Sequence, residues 1–270
     1  LALIIPVIAG MGLNFGITIG AMAAQIVMFY VVSFGGTGFG ALLLTIILST
    51  PLAALFGYMT GKILNKTIGQ EMITSMILGF FANGLYQLLF LFLIGTVLPI
   101  GNEMYAIPGG IGVVNTVDLN GNLMYAMDGL WMIKLPWFLM AMGALLSIYY
   151  VVKTLRGGVK SEKEVRAQEF ARIGMGLSMI VFGIYLVSSK NLYKNFDVPI
   201  ITALFIFVIA VFNIAIFKTK MGHDFRTVGQ DKHIAHVSGV NVEKRRVLSI
   251  VISTVLAAWG QIIFLQNLGT

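Results

Sequence analysis

The run VPIITALFIFVIAVFNIAIF, Val198–Phe217, holds no charged residue. The stretch after it, KTKMGHDFRTVGQDKHIAHVSGVNVEKRR, Lys218–Arg246, is polar and basic. Val247 then opens a second apolar run that reaches about Leu268. A transmembrane α-helix needs about 20 mostly apolar residues. The stretch therefore reads as two membrane spans joined by a charged loop. Applied outward, the same rule places spans at Gly40–Met59, Met72–Leu98, Leu130–Val152 and Ile173–Ser188. Leu1–Phe34 is apolar throughout and too long for one span. Its Gly10, Gly12, Asn14 and Gly16 divide it into a helix to about Leu13 and another from about Gly16 to Phe34. The expected fold is an all-α polytopic transmembrane bundle of about eight helices. The chain opens on Leu1 inside one apolar run and closes at Thr270 on another, which reads as truncation at both ends.

Composition agrees. Hydrophobic residues make up 58% of the 270 and charged residues 11%, against about a quarter charged in soluble domains. Such a chain cannot cover a water-facing surface. That excludes a soluble enzyme, a nucleic-acid-binding domain and a disordered scaffold. The net charge of +7 therefore does not point to nucleic acid. The chain has no cysteine, so it has no disulfide framework and no thiolate metal site.

The bases give an orientation. Fifteen of the 18 lysines and arginines fall in Thr60–Glu71, Lys153–Arg172 and Lys218–Arg246. Those loops alternate along the chain with Ser33–Phe39, Pro99–Gly129 and Lys190–Asp197, which carry few. Cytoplasmic loops are enriched in Lys and Arg, so the three basic loops read as cytoplasmic and the others as external. The long outer loop, residues 99–129, carries turn signals at Pro108-Gly109-Gly110 and Asn120-Gly121. Trp131, Trp137, Tyr149 and Tyr150 mark interfaces around the span between them.

The spans hold almost no ionisable side chain. Lys134 lies near an external end, where it can snorkel. Buried carboxylates or histidines, usual in ion-coupled carriers, are missing from the runs. This reads against an ion-coupled secondary transporter and for an uncharged permeating species or a wide watery path. Gly12, Gly16, Gly20 and Ala24 repeat small residues at four-residue spacing, which lets helix backbones approach. On one helix Asn14, Thr18 and Gln25 would fall within about 40° of each other. Asn83 and Gln87 lie four apart in a later span. These five line a solute path or hydrogen-bond between helices. His233 and His236 are spaced for a short helix but lack a recognised metal pattern. No Ser-His-Asp or paired-carboxylate arrangement finds a place, so catalysis by this chain is not expected.

The last basic loop has local signals of its own. Gly229 reads as a chain break, Asp231 as an N-cap, Lys232–Ser238 as about two helical turns and Gly239 as C′. Ile234, Ala235 and Ser238 would lie along one side. Such a helix suits docking into a partner's groove or lying on anionic headgroups.

The loop resembles that of permease subunits of bacterial ABC importers, in the superfamily of ribose-type simple-sugar, nucleoside and branched-chain amino-acid permeases. The resemblance rests on Thr219, Gly222, Arg226, Val228, Gly229, Ala235, Ser238, Gly239, Val240, Asn241 and Val242. The basic group Lys244–Arg246 and the small residues Ala257, Ala258 and Gly260 continue it. The resemblance implies a single permease domain over 1–270, with a coupling loop at 218–246. It implies no nucleotide bound by this chain, ATP and Mg being held by separate cytoplasmic ATPase subunits. It further implies an extracytoplasmic solute-binding protein, a second permease subunit and a place in the bacterial inner membrane. Gly222, Arg226, Gly229, Ile234, Ala235, Ser238, Gly239, Val240 and Asn241 are the expected ATPase-coupling residues. A simple sugar is the favoured solute, before a nucleoside or an amino acid.

Overall fold

The computed structural model describes residues 1–107, 112–114, 116–155, 163–188 and 192–269. The chain order is α1 (Ile4–Ile8), α2 (Ile17–Ser33), α3 (Gly38–Lys66), α4 (Glu71–Leu88), β1 (Met132–Lys134), α5 (Leu135–Leu155), α6 (Lys163–Ser188), β2 (Asp197–Pro199), α7 (Ile200–Lys218), α8 (Lys220–Gln230), α9 (Lys232–Val237) and α10 (Val242–Leu268). Among the described residues, six segments are long and apolar enough to cross a membrane, in α3 to α7 and α10, and α2 is a shorter apolar helix. The architecture is the expected all-α polytopic bundle.

The differences from expectation have local causes. The helix expected to about Leu13 is only α1, because Gly10 and Gly12 take left-handed φ of 72° and 68° and turn the chain. α3 continues past Met59 to Lys66, its bases being long enough to reach the polar boundary. α4 ends at Leu88 and passes into a π-helical turn at Leu89–Leu93, short of the expected Leu98. The expected start at Leu130 moves to Leu135, because Met132–Lys134 pairs antiparallel with Asp197–Pro199. The turn expected at Pro108-Gly109-Gly110 lies outside the described residues, as does the whole link between α5 and α6, residues 156–162. Gly121 has φ 77°, as a turn there requires.

The chain forms two compact units, Leu1–Met127 with Thr202–Thr270, and Asp128–Ile201. The smaller is a hairpin of α5 and α6 with the two-stranded ribbon. Its helices touch through glycines: a Cβ on Gly143 would lie 2.9 Å from Ile180 Cγ1, and one on Gly183 3.0 Å from the Pro136 carbonyl. Close backbone approach through small residues is how membrane helices gain packing energy without a hydrophobic drive.

The larger unit is built around α10. Gly61 meets Val247, Gly57 meets Thr254, and the Trp259 indole N–H donates to Thr50 Oγ1 at 3.0 Å. Rising numbers on α10 meet falling numbers on α3, so the two run antiparallel. Thr254 Oγ1 also reaches the Ala53 carbonyl at 3.2 Å. α2 packs on the same residue: a Cβ on Gly20 would strike the Thr254 carbonyl, and Ala24 is fully buried. The small-residue stripe of α2 thus seats it on α10. Gly12 takes no part, since it lies in the turn before the helix.

Candidate functional site

The two ends of the larger unit differ in chemistry. At one end two of the three basic loops meet. Glu71, which opens α4, pairs with Arg246 of α10 and lies 3.7 Å from Lys232 Nζ of α9. The adjacent Arg245 pairs with Asp224 of α8 at 2.7 Å. Neighbouring residues on a helix point about 100° apart, so α10 grips α4 with one arginine and α8 with the next. The loops 60–71 and 218–246 therefore share one end, as the charge alternation requires.

The loop 218–246 holds two helices where one was expected. α8 is capped by Thr219, whose Oγ1 accepts the Gly222 N–H at 3.4 Å. It buries Gly222, Asp224, Phe225 and Val228. Phe225 joins a core of Ile5, Ala9, Ile209 and Leu256. Met221, Phe225 and Val228, at helical spacing behind an N-cap threonine, were the available sequence signal for it. Gly229 is no chain break. It lies inside α8, and it is glycine because the Ile8 carbonyl occupies the place of its Cβ and the Gly10 backbone nitrogen stands 3.1 Å away. Gly222 is likewise pressed against Ile216 and Phe217. The exposed Arg226 guanidinium sits 5.8 Å from the centre of the Phe217 ring.

α9 carries the expected caps. Asp231 Oδ1 accepts the N–H groups of His233 at 2.7 Å and Ile234 at 3.1 Å. At the other end the Gly239 N–H donates to the His236 carbonyl and the Val240 N–H to the Ala235 carbonyl, both at 3.0 Å. This is a Schellman closure, with Ser238 as C-cap and Gly239 at φ 79°. Asn241 then caps α10 through Oδ1, accepting the Lys244 N–H at 3.0 Å. The face differs from expectation. Ala235 is fully buried and points inward, whereas Ile234 and Val237 are 60% and 80% exposed. The outward apolar pair is thus Ile234 and Val237, and Ala235 is the anchor.

At the opposite end the loop after α4 folds back over the bundle. The Val113 N–H donates to the Phe90 carbonyl at 3.0 Å, and the Leu119 N–H to the Gly269 carbonyl at 3.0 Å. The Met127 N–H donates to Gln266 Oε1 at 3.1 Å. Beneath it opens a cavity of about 540 Å³ lined by Gln25, Phe29, Tyr86, Gln87, Phe90 and Thr116, among others. Phe29 and Phe90 meet edge to face at 5.3 Å, and Tyr86 lies 4.5 Å from Phe90.

The five expected polar residues divide. Gln25 and Gln87 share the cavity. Asn14 is buried in the turn before α2, where Oδ1 accepts the Gly16 N–H at 2.9 Å, so it does not extend the helical stripe. Thr18 is exposed and donates to the Phe15 carbonyl at 3.3 Å. Asn83 is exposed on α4. Glu71 and Asp224 had no sequence signal, because their partners are remote along the chain.

Comparison with protein families matches residues 1–270 to the family described as branched-chain amino acid transport system / permease component. Comparisons with curated proteins and with solved structures find no match. Members of that family are transport subunits that work with ATPase and solute-binding partners. The family match runs through both compact units, and the six apolar segments make the chain a multi-pass membrane protein. The chain belongs to this family of ABC transporter permeases.

Proposed function

We propose that this permease forms the path for a small uncharged polar solute in an ATP-driven importer, with α8 and α9 as its seat on the ATPase subunit. The observation that carries the reading is the build of α9. It is capped at both ends, anchored inward by Ala235, braced by Lys232 on Glu71, and it presents Ile234 and Val237 to solvent. Exposed apolar residues on a rigid, pre-formed helix are what a groove-binding contact needs. Closure of the ATPase dimer on ATP and Mg would move α9, and the helices joined to it would follow as rigid bodies. Orientation follows the charges: the α8–α9 end is cytoplasmic, and the cavity opens toward the binding protein in the inner membrane of a bacterium. A second permease subunit completes the path.

For the solute we favour a simple sugar. Gln25, Gln87 and Thr116 supply paired donors and acceptors for hydroxyl groups. Phe29, Tyr86 and Phe90 supply flat apolar faces. No acid or base lines the cavity among the described residues, which disfavours a zwitterionic amino acid. A nucleoside would use the same aromatic faces.

Two measurements test this. Val237→Glu places a charge on the exposed contact without touching the core. Recovery of the ATPase subunit on purification should fall about tenfold, a 1.4 kcal/mol loss, with the permease level unchanged. Equal recovery would sink the docking reading. Proteoliposome uptake with a panel of sugars, nucleosides and leucine then assigns the solute, and accumulation of leucine alone would overturn the sugar reading.

A further inference from the structure

The buried residues of α4 are confined to its first turns. Among its described residues only Glu71 and Ser75 are buried. Glu71 uses both carboxylate oxygens: Oε1 faces Arg246 and Lys232, and Oε2 accepts the Gly69 N–H at 2.8 Å. Ser75 Oγ accepts the Phe15 N–H at 3.0 Å. One turn further, a Cβ on Gly79 would lie 3.1 Å from Thr18 Oγ1. Beyond that point α4 divides two spaces. On one side is the cavity with Gln25 and Gln87. On the other is a cleft of about 390 Å³ between α4 and the pair α2–α3, bordered by Met22, Ile26, Phe56, Phe81 and Leu85. Tyr86 borders both. The cleft has no charged lining among the described residues, so α4 can enter it without desolvating a charge.

The charges at the root of α4 need a reason. Arg246 is fully buried, and its Nε and Nη1 have no hydrogen-bond partner among the described residues. A buried ion pair is weak evidence for stability, and its best-attested use is to fix a register or a switch. Here the pair has a third member. Lys232 is the first residue of α9, so the carboxylate at the root of α4 is shared with the docking helix.

We propose that α4 is the moving wall of the solute path and that Glu71 is the positioning residue through which α9 moves it. The inference rests on the docking reading of α9. A displacement of α9 pulls Lys232 and with it the head of α4. The far part of α4, none of whose residues is buried, swings between cavity and cleft and carries Tyr86 and Gln87 with it.

The test uses the assembled transporter, permease with its ATPase and binding protein, in proteoliposomes. Without ATP-driven uptake or a bound ATPase subunit in the unaltered protein, the docking reading itself fails. With both present, Lys232→Gln and Glu71→Gln are compared. With ATP hydrolysis normalised to the ATPase subunit recovered with each, solute moved per ATP hydrolysed should fall about tenfold, within the usual range of a coupling free energy. An unchanged ratio in Lys232→Gln, which leaves the buried Arg246–Glu71 pair intact, overturns the proposal even where Glu71→Gln misfolds. A second arm locks the helix. The chain has no cysteine of its own, and disulfide-bonded Cβ atoms lie about 3.5–4.5 Å apart, a spacing the Thr18–Gly79 contact permits. Oxidised Thr18→Cys/Gly79→Cys should lose uptake and regain it on reduction. Equal uptake in the oxidised and reduced forms shows that the head of α4 does not move against α2, as the pull through Glu71 requires, and also overturns the proposal.

Discussion

Gly229 and Gly239 stand ten residues apart in one loop and are glycine for different reasons. Gly239 holds φ 79° at the end of α9, where an L side chain is strained. Gly229 has helical geometry and yields its Cβ position to the Ile8 carbonyl. The two therefore respond differently to alanine. Gly239→Ala should cost about 1–2 kcal/mol, the left-handed penalty, and loosen only the α9–α10 junction. Gly229→Ala forces α8 away from the backbone of residues 8–10 and should cost about 1–3 kcal/mol, as overpacking does. Thermal unfolding in detergent reads both, and a Gly229→Ala protein as stable as the parent would remove the close approach from the account. Glu71 lies at the same scale. Replacing it with alanine strands the Arg246 charge, a loss of about 3–5 kcal/mol for a broken buried pair. Glu71→Leu with Arg246→Met removes both charges and should restore most of that stability without restoring coupled transport.

Of the two helices in the loop 218–246, α9 is the less able to stand alone. It has 6 residues, and isolated helices below about 12–15 residues are marginal in water. Its caps and the inward Ala235 supply what length does not. Asp231→Ala removes two acceptor contacts and should cost about 1 kcal/mol of local stability. That loss falls on α9 and not on the spans. Membrane insertion should therefore be normal while ATPase recovery drops, and Asp231→Asn or Asp231→Ser should restore it. Insertion and recovery failing together would show that α9 is needed to build the bundle. α8 works differently. It buries Phe225 and Val228 and is held by Asp224 to Arg245, so it is the rigid platform from which α9 projects.

For the whole molecule, the charge alternation and the contacts agree on which loops share an end of the larger unit. Glu71 joins the loop at 60–71 to the loop at 218–246. Asn122 joins the outer loop to the α2–α3 connection by accepting the Gly38 N–H at 2.8 Å. The absolute orientation is open to a direct measurement, because these 270 residues hold no cysteine to compete with an introduced one. In intact cells a membrane-impermeant thiol reagent should modify Asn120→Cys, whereas Val237→Cys should react only after the membrane is opened. Labelling of Val237→Cys in intact cells would invert the topology and place the docking face outside.

What the sequence by itself determined is what short-range chemistry controls. Apolar runs of membrane length set the spans. The bias of Lys and Arg grouped the loops at 60–71 and 218–246 on one end. Asp231 and Gly239 set the ends of α9, since a cap is decided within four residues. The sequence also pointed to the α2 glycines as a packing stripe, and Gly20 and Ala24 serve as one. What only the tertiary structure decided depends on residues far apart in the chain. Arg246 and Glu71 meet across 175 positions, and nothing near either of them signals the other. Gln25 and Gln87 share a cavity only because α2 and α4 stand side by side under a returning loop. Whether Ile234 or Ala235 faces outward was fixed by how α9 seats on its neighbours, since both are apolar and adjacent. Local pattern names the elements of this permease, and long-range packing chooses which of their side chains meet.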